Sequence, residues 1–244
     1  RTGNRLNLPS YTWRHVQSKL PGAGTRAERA RVISSGEARG GLYIDFEGAR
    51  DAPSLLAVLF FDEEEDDVVY AQYILEADLH PAAPLDVALM PSSIHQVAEI
   101  LFDQSVEEDR RIFAWSSYEE RVLAGLLGDD DALVKNEIVD ARGIADSWMA
   151  RTDPQHASRS LPKGKRNALS VYLDLIDYER WPDAIGHQPV VGIDLMRAEL
   201  RRAGGELAGV SVEARDAWRK TLHRNFDDCD GMREVLLHIT RQGA

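Results

Sequence analysis

The order of apolar patterns along the chain predicts an α/β domain with a mixed central sheet flanked by helices. Three observations carry the prediction. Stretches 41–48, 55–61 and 68–75 read as consecutive strands with short links, which makes an antiparallel three-strand meander. Two shorter strands, 111–115 and 137–140, alternate with segments whose apolar residues recur every three or four positions, the pattern of strand–helix units. Beyond residue 167 only helical spacing remains, and no internal repeat is present.

A chain of 244 residues is long enough to bury a proper core. Its 43% apolar and 29% charged content is that of a soluble globular protein, and it has neither an unbroken apolar run of about 18 residues nor a signal-peptide pattern. The single Cys229 excludes an intrachain disulfide framework and a cysteine zinc cluster, and it fits a reducing compartment, the cytoplasm. The sequence opens on Arg1 rather than Met, which reads either as a fragment of a larger parent protein or as a processed chain.

The net charge of −12 is unevenly spread. Residues 1–40 carry eight basic and two acidic side chains, a net +6, whereas residues 41–244 carry 21 and 39, a net −18. Part of the acidic excess falls in surface runs, Asp62 to Asp67 and Asp129 to Asp131. Within this acidic part stands a basic cluster, Arg159, Lys163, Lys165 and Arg166, a candidate contact for a phosphate backbone. Because phosphates are gripped locally, the overall sign does not exclude a nucleic-acid binder.

Taken in order, residues 1–40 read as a basic N-terminal extension or linker, with short helices over 11–20 and 25–34 parted by Pro21-Gly22-Ala23-Gly24. The domain itself is expected over 41–244. Its first strand, Gly41-Leu42-Tyr43-Ile44-Asp45-Phe46-Glu47-Gly48, alternates apolar Ile44 and Phe46 with acidic Asp45 and Glu47. The acidic run 62–67 forms the tip of the hairpin between strands two and three, and Pro81 to Pro91 reads as a loop or irregular link. Ser92 or Ser93 caps a helix whose face is Ile94, Val97, Ala98, Leu101 and Phe102. Strand four ends at Trp115, and Ser116 or Ser117 caps a helix running to Gly128. The strand 137–140 leads into a helix ending near Ala150, residues 151–166 form a polar, basic loop, and helices over 167–178, 189–203 and 212–242 complete the chain.

Side chains two apart on a strand share a face, so the carboxylates of Asp45 and Glu47 point the same way, with Cα atoms about 7 Å apart. Two anions on one face repel, and a cation between them removes the repulsion. A second acid, Glu119, opens the helix after strand four, near the strand ends where open α/β sheets place their sites. The same Ser-x-x-Glu pattern is a capping box, and acids in a first turn complement the helix dipole. Late in the chain, Leu222-His223-Arg224-Asn225-Phe226-Asp227-Asp228-Cys229 sets a His and two acids beside a core face of Leu222, Phe226, Cys229, Met232, Leu236 and Ile239. Pairs at i,i+4, His223 with Asp227 and Arg224 with Asp228, are a structural alternative for these charges. The other histidines, at 15, 80, 95, 156, 187 and 238, show no ligand spacing. Tyr172, Tyr178 and Trp181 are expected to pack in the core rather than stack on a base.

Together these pieces resemble the three motifs of the DEDD superfamily, the ribonuclease H-like 3′–5′ exonucleases that include the proofreading type. Motif one falls on Asp45 and Glu47, motif two on Trp115-Ser116-Ser117-Tyr118-Glu119, and motif three of the His subtype on His223 and Asp228. The resemblance spans about residues 41–244. Trp115 and Glu119 stand where the family has Asn and Asp. The aromatic-Glu of motif two and the Asn225-x-Asp227-Asp228-Cys229 of motif three are similar to a divergent branch of predicted exonucleases. In that branch a Tyr often precedes the catalytic Asp by four residues, and here that position is Arg224. The base is then His223, or the chain has none.

The resemblance implies a ribonuclease H-like fold and hydrolysis of DNA or RNA from a free 3′ end. It also implies two Mg²⁺ or Mn²⁺ ions about 3.5–4 Å apart. Asp45 is then expected to bridge both ions, Glu47 and Asp228 to hold the one beside the nucleophile, and Glu119 to act on the other. His223, with an ordinary pKa of about 6.5, is the expected acceptor of the water's proton. On a straight helix positions five apart diverge by about 140°, so a bend is expected between His223 and Asp228. Branch members occur beside or fused to helicase and nuclease domains, which implies partners of that kind. The rival expectations are a catalytically inactive module of the same fold that binds nucleic acid or a protein, and an endonuclease using the same acids.

Overall fold

The computed structural model describes residues 33–49, 52–127, 137–155 and 168–242. Strands β1 (Leu42–Ala49), β2 (Ala52–Asp62), β3 (Asp67–Ile74), β4 (Leu89–Pro91), β5 (Ile112–Ala114) and β6 (Ile138–Asp140) form one sheet. Their order is β4-β3-β2-β1-β5-β6. β1 to β3 are the antiparallel meander, while β5 runs parallel to β1, β6 to β5 and β4 to β3. Flanking them are α1 (Ser35–Gly40), α2 (Ile94–Glu107), α3 (Ser117–Leu127), α4 (Ala141–Thr152), α5 (Leu169–Leu175), α6 (Pro189–Arg202) and α7 (Val212–Gln242). The protein is thus α/β, with a mixed sheet covered by helices.

Alternation along β1 assigns its two faces. Leu42, Ile44 and Phe46 pack with Leu56, Val58 and Phe60 under α2 and α3. Tyr43 faces the other way, with Ala57, Leu59 and Phe113, against α4, α5 and α7. Asp45 and Glu47 share the parity of Tyr43, so they point toward the α7 side. Full burial of side chains such as Phe102 and Phe113 stabilises each layer by about 2–3 kcal/mol per residue.

Two boundaries differ from expectation. The stretch Pro81 to Pro91, expected as a loop or irregular link, carries regular structure at both ends: a 3-10 helix covers Ala77–Leu85, and β4 then adds to the outer edge of β3. Pro81 and Pro84 cannot sit inside an α-helix but fit short 3-10 turns, and Pro91 ends a strand at a sheet edge where its missing N–H is harmless. The domain also begins before residue 41. Ile33 and Ala38 are buried in the core, Ser34 and Glu37 form a reciprocal capping box on α1, and the Tyr43 hydroxyl donates to the Ala38 carbonyl. The rest of the expected extension, including the helices over 11–20 and most of 25–34, lies outside the described residues.

α7 is one continuous helix of 31 residues, about 45 Å long. Its expected core face is buried at Leu222, Cys229, Met232, Leu236 and Ile239, and Phe226 packs half-buried against Tyr70 at 4.7 Å. Toward its start it packs on α6, where a Cβ on Gly192 would lie 2.1 Å from Thr221 Oγ1 and 2.7 Å from the Ala217 carbonyl. Only glycine allows so close a crossing. Among the described residues no helix is long and apolar enough to cross a membrane.

Candidate metal centre

The recess forms where the end of β1 meets the middle of α7. β1 pairs regularly with β2, Asp45 opposite Ala57 and Glu47 opposite Leu55, until the register shifts between Glu47 and Gly48. Gly48 takes φ 133°, and a Cβ there would stand 2.6 Å from the Ser54 backbone nitrogen. A side chain is therefore excluded, and the strand is interrupted directly after the second carboxylate. The small Ala57 opposite Asp45 leaves room on that face for α7 to approach.

α7 delivers three side chains to the recess. Asn225 is fully buried; its Nδ2 donates to the Asp45 carboxylate at 2.7 Å and to the Asp45 carbonyl at 3.1 Å. Its Oδ1 accepts from Gln72 Nε2 of β3 at 3.0 Å, and the same amide nitrogen donates to the Leu222 carbonyl at 3.2 Å. This amide relay fixes the rotation of α7 against the sheet. It thereby brings Asp228 to Asp45 and Glu47: one oxygen of each of the three lies within 4.8 Å of the others. Arg224, one turn before Asp228, donates its Nε to Asp228 Oδ2 at 2.8 Å. Asp228 Oδ1 is buried and has no hydrogen-bond partner among the described residues.

The electrostatics follow from this crowding. Burial, then the charges of Glu47, Asp228 and Glu119, push Asp45 well above the usual carboxylate range, against the pull of the Asn225 bond. Burial and the charge of Asp228 lift Glu47 to about 8, with Arg224 opposing. Asp228 is likewise raised by burial, with Arg224 acting the other way. Such a trio favours protons or a cation over its bare charged state.

Glu119 joins the group electrostatically but not as a fourth converging oxygen. It is 3% exposed, and its Oε2 accepts from the Ser116 hydroxyl at 2.7 Å and the Ser116 backbone N–H at 3.2 Å. Half of the capping box anticipated from Ser-x-x-Glu is therefore present, and the Ser116 hydroxyl accepts instead from the Tyr118 backbone N–H at 3.0 Å. Burial raises its carboxyl, and the bonds from Ser116 counter that.

His223 is placed elsewhere. No bend separates it from Asp228, because α7 is continuous, so the two side chains leave the helix in different directions. Its Nδ1 lies 3.0 Å from Asp183 Oδ1, and its ring stacks on Trp181 at 4.2 Å. Among the described residues no hydrogen bond or ion pair joins it to the three carboxylates. The anticipated pair of His223 with Asp227 is replaced by these contacts, and Asp227 Oδ2 instead accepts from the Trp181 backbone N–H at 3.0 Å. The pair of Arg224 with Asp228 does form. Trp181 is 45% exposed rather than packed in the core, whereas Tyr172 is buried and Tyr178 bonds to Asp230. Arg159, Lys163, Lys165 and Arg166 lie outside the described residues.

Sequence reasoning missed the supporting roles of Asn225 and Gln72 and the inward position of Arg224. A signal existed for Gln72, a lone amide in the apolar run Val68-Val69-Tyr70-Ala71-Gln72-Tyr73-Ile74, since a buried amide requires partners. Comparison of the chain with protein-family models, with curated proteins and with solved structures finds no match.

Proposed function

We propose that this protein is a metal-dependent 3′–5′ exonuclease of ribonuclease H-like fold that hydrolyses phosphodiester bonds of DNA or RNA. The observation that carries this reading is the convergence of Asp45, Glu47 and Asp228, from elements far apart in the chain, on one half-buried recess. The sheet supports it too: a meander β3-β2-β1 continuing into parallel β5 and β6 is the arrangement that the motif resemblance implies. The donor set fits Mg²⁺ or Mn²⁺. All its atoms are carboxylate oxygens, as hard cations require, and among the described residues Asp228 Oδ1 has no partner.

When bound, a divalent cation supplies positive charge against phosphate oxygens and lowers the pKa of the attacking water. The chain's own residues do the rest. Asp45, Glu47 and Asp228 hold the cation, Asn225 and Gln72 orient Asp45, and Gly48 lets the strand turn away behind Glu47. Glu119 adds negative charge at the start of α3 while Ser116 fixes its carboxylate.

A second reading is favoured by Arg224, whose guanidinium stands where the divergent branch has its Tyr and cannot act as a base. With His223 bound to Asp183, this reading is a catalytically silent module that binds nucleic acid or a partner protein. A 3′-labelled oligonucleotide incubated with Mn²⁺ or Mg²⁺ separates the two. Stepwise shortening that vanishes in Asp45→Ala is expected. Metal-dependent thermal stabilisation without shortening would favour the silent module, and cutting of a circular substrate would replace exonuclease by endonuclease.

A further inference from the structure

Arg224 introduces a fixed positive charge into a recess that the motif resemblance would fill with two metal ions. Its Nε is 2.8 Å from Asp228 Oδ2, along the i,i+4 spacing of a continuous helix. Its charge also acts on Asp45 and Glu47. A guanidinium keeps its proton at every working pH, so this charge is permanent. One oxygen of the fourth acid that a second ion would use is already engaged: Glu119 Oε2 is held by two donors of Ser116, and the converging oxygens are those of Asp45, Glu47 and Asp228.

We propose that Arg224 is a built-in second cation, so that the recess takes one divalent ion, on Asp45, Glu47 and Asp228, instead of two. The proposal rests on the metal-centre reading above. Asp45, Glu47, Asp228 and the neighbouring Glu119 carry four negative charges, of which one divalent ion and one guanidinium cancel three. A second divalent ion would leave the trio and its cations net positive before any phosphodiester entered, and like charges at this range repel strongly. Asp228 could serve both cations, since Oδ2 bonds to Arg224 and Oδ1, without a partner among the described residues, would be left for the ion. Among the described residues only Nε of Arg224 is engaged, which leaves its terminal nitrogens available to a phosphate oxygen, an acceptor that guanidinium groups bind well.

The test is a count of bound Mn²⁺ by titration calorimetry, with the electron paramagnetic resonance signal as a second readout. The wild-type chain is expected to bind one Mn²⁺ with an uncoupled six-line spectrum. Arg224→Ala is expected to bind the first ion about tenfold tighter, because a nearby repelling charge is gone, and to admit a second, spin-coupled ion. Arg224→Lys, which keeps the charge, is expected to remain at one. Two coupled ions in the wild type overturn the proposal and leave the metal-centre reading standing, whether or not Arg224→Ala folds. No binding by folded wild type and folded Arg224→Ala overturns both.

Discussion

Two charged clusters tie helices to the sheet, and they are balanced in opposite ways. Just past β3, Glu76 accepts from Arg197 Nε at 2.6 Å, Arg197 Nη2 at 2.7 Å and Ser54 Oγ at 2.9 Å. Arg197 also pairs with Asp194. Bonds from Arg197, with help from Ser54, hold Glu76 below its ordinary range. In the recess, one guanidinium bonds to Asp228 alone, the other Asp228 oxygen has no partner among the described residues, and all three acids are raised. The first cluster closes its charges from within and only holds α6 in place. The second leaves charge uncompensated, which is the condition for binding something from outside.

The largest effect expected from that difference is on activity. Asp45→Ala should lower exonuclease turnover by about 10³-fold, the upper scale for removing one charge-stabilising group, whereas Arg197→Ala should leave turnover near wild type in the folded fraction. Equal losses in both would erase the distinction.

Metal and pH give the next largest effect. Glu47 titrates at about 8 in the folded, metal-free protein and near the ordinary glutamate value when unfolded. Between those values the folded state binds more protons, so metal-free stability should fall as pH rises from about 5 to 8. Mn²⁺ at about 100 times its dissociation constant adds about 2.7 kcal/mol. That corresponds to a rise in Tm of about 5–10 °C for a domain of this size. The rise should be larger at pH 8 than at pH 5.5, where protons compete for the same oxygens. Thermal melts in EDTA and in Mn²⁺ across this range check both signs.

Substitutions in metal-free protein should then move stability in opposite directions. Arg197→Ala strands the partly buried Glu76 and should lower stability by about 1–3 kcal/mol. Asp45→Asn keeps an acceptor for Asn225 but removes one repelling charge, and should raise Tm by about 2–4 °C. If Asp45→Asn melts lower than wild type in EDTA, the recess is not under electrostatic strain.

The smallest effect is expected at His223. His223→Ala loses a half-exposed pair with Asp183, a change of under about 1 kcal/mol, and turnover should stay within about threefold of wild type. A loss of about 10²-fold would instead make His223 the proton acceptor.

Most of the sheet was legible because its cues are local. The alternation of β1, the acidic hairpin tip and the capping serines Ser93 and Ser116 act over a few residues. β4 was not, because a short edge strand ending in Pro91 carries no periodicity and is defined only by its pairing with β3. In the recess, Asp45, Glu47 and Asp228 were readable from motif chemistry. The relay through Gln72 and Asn225 was not, since it links β3 to α7 across most of the chain and no short-range pattern reports it. The bend expected between His223 and Asp228 is not there, because helix phase over five residues depends on the whole course of α7, and Asp183 takes up the imidazole.

The unbroken course of α7 also makes the recess sensitive to insertion and deletion rather than to substitution alone. One residue added before His223 would advance everything upstream by about 100°, moving Trp218 and Thr221 out of their seats against α6 while Arg224, Asn225 and Asp228 keep their spacing. The same residue added between Asn225 and Asp228 would leave the α6 contact intact and carry Asp228 away from Asp45. α7 therefore acts as a ruler on which anchorage and chemistry are marked at separate graduations, and length changes can erase one without the other.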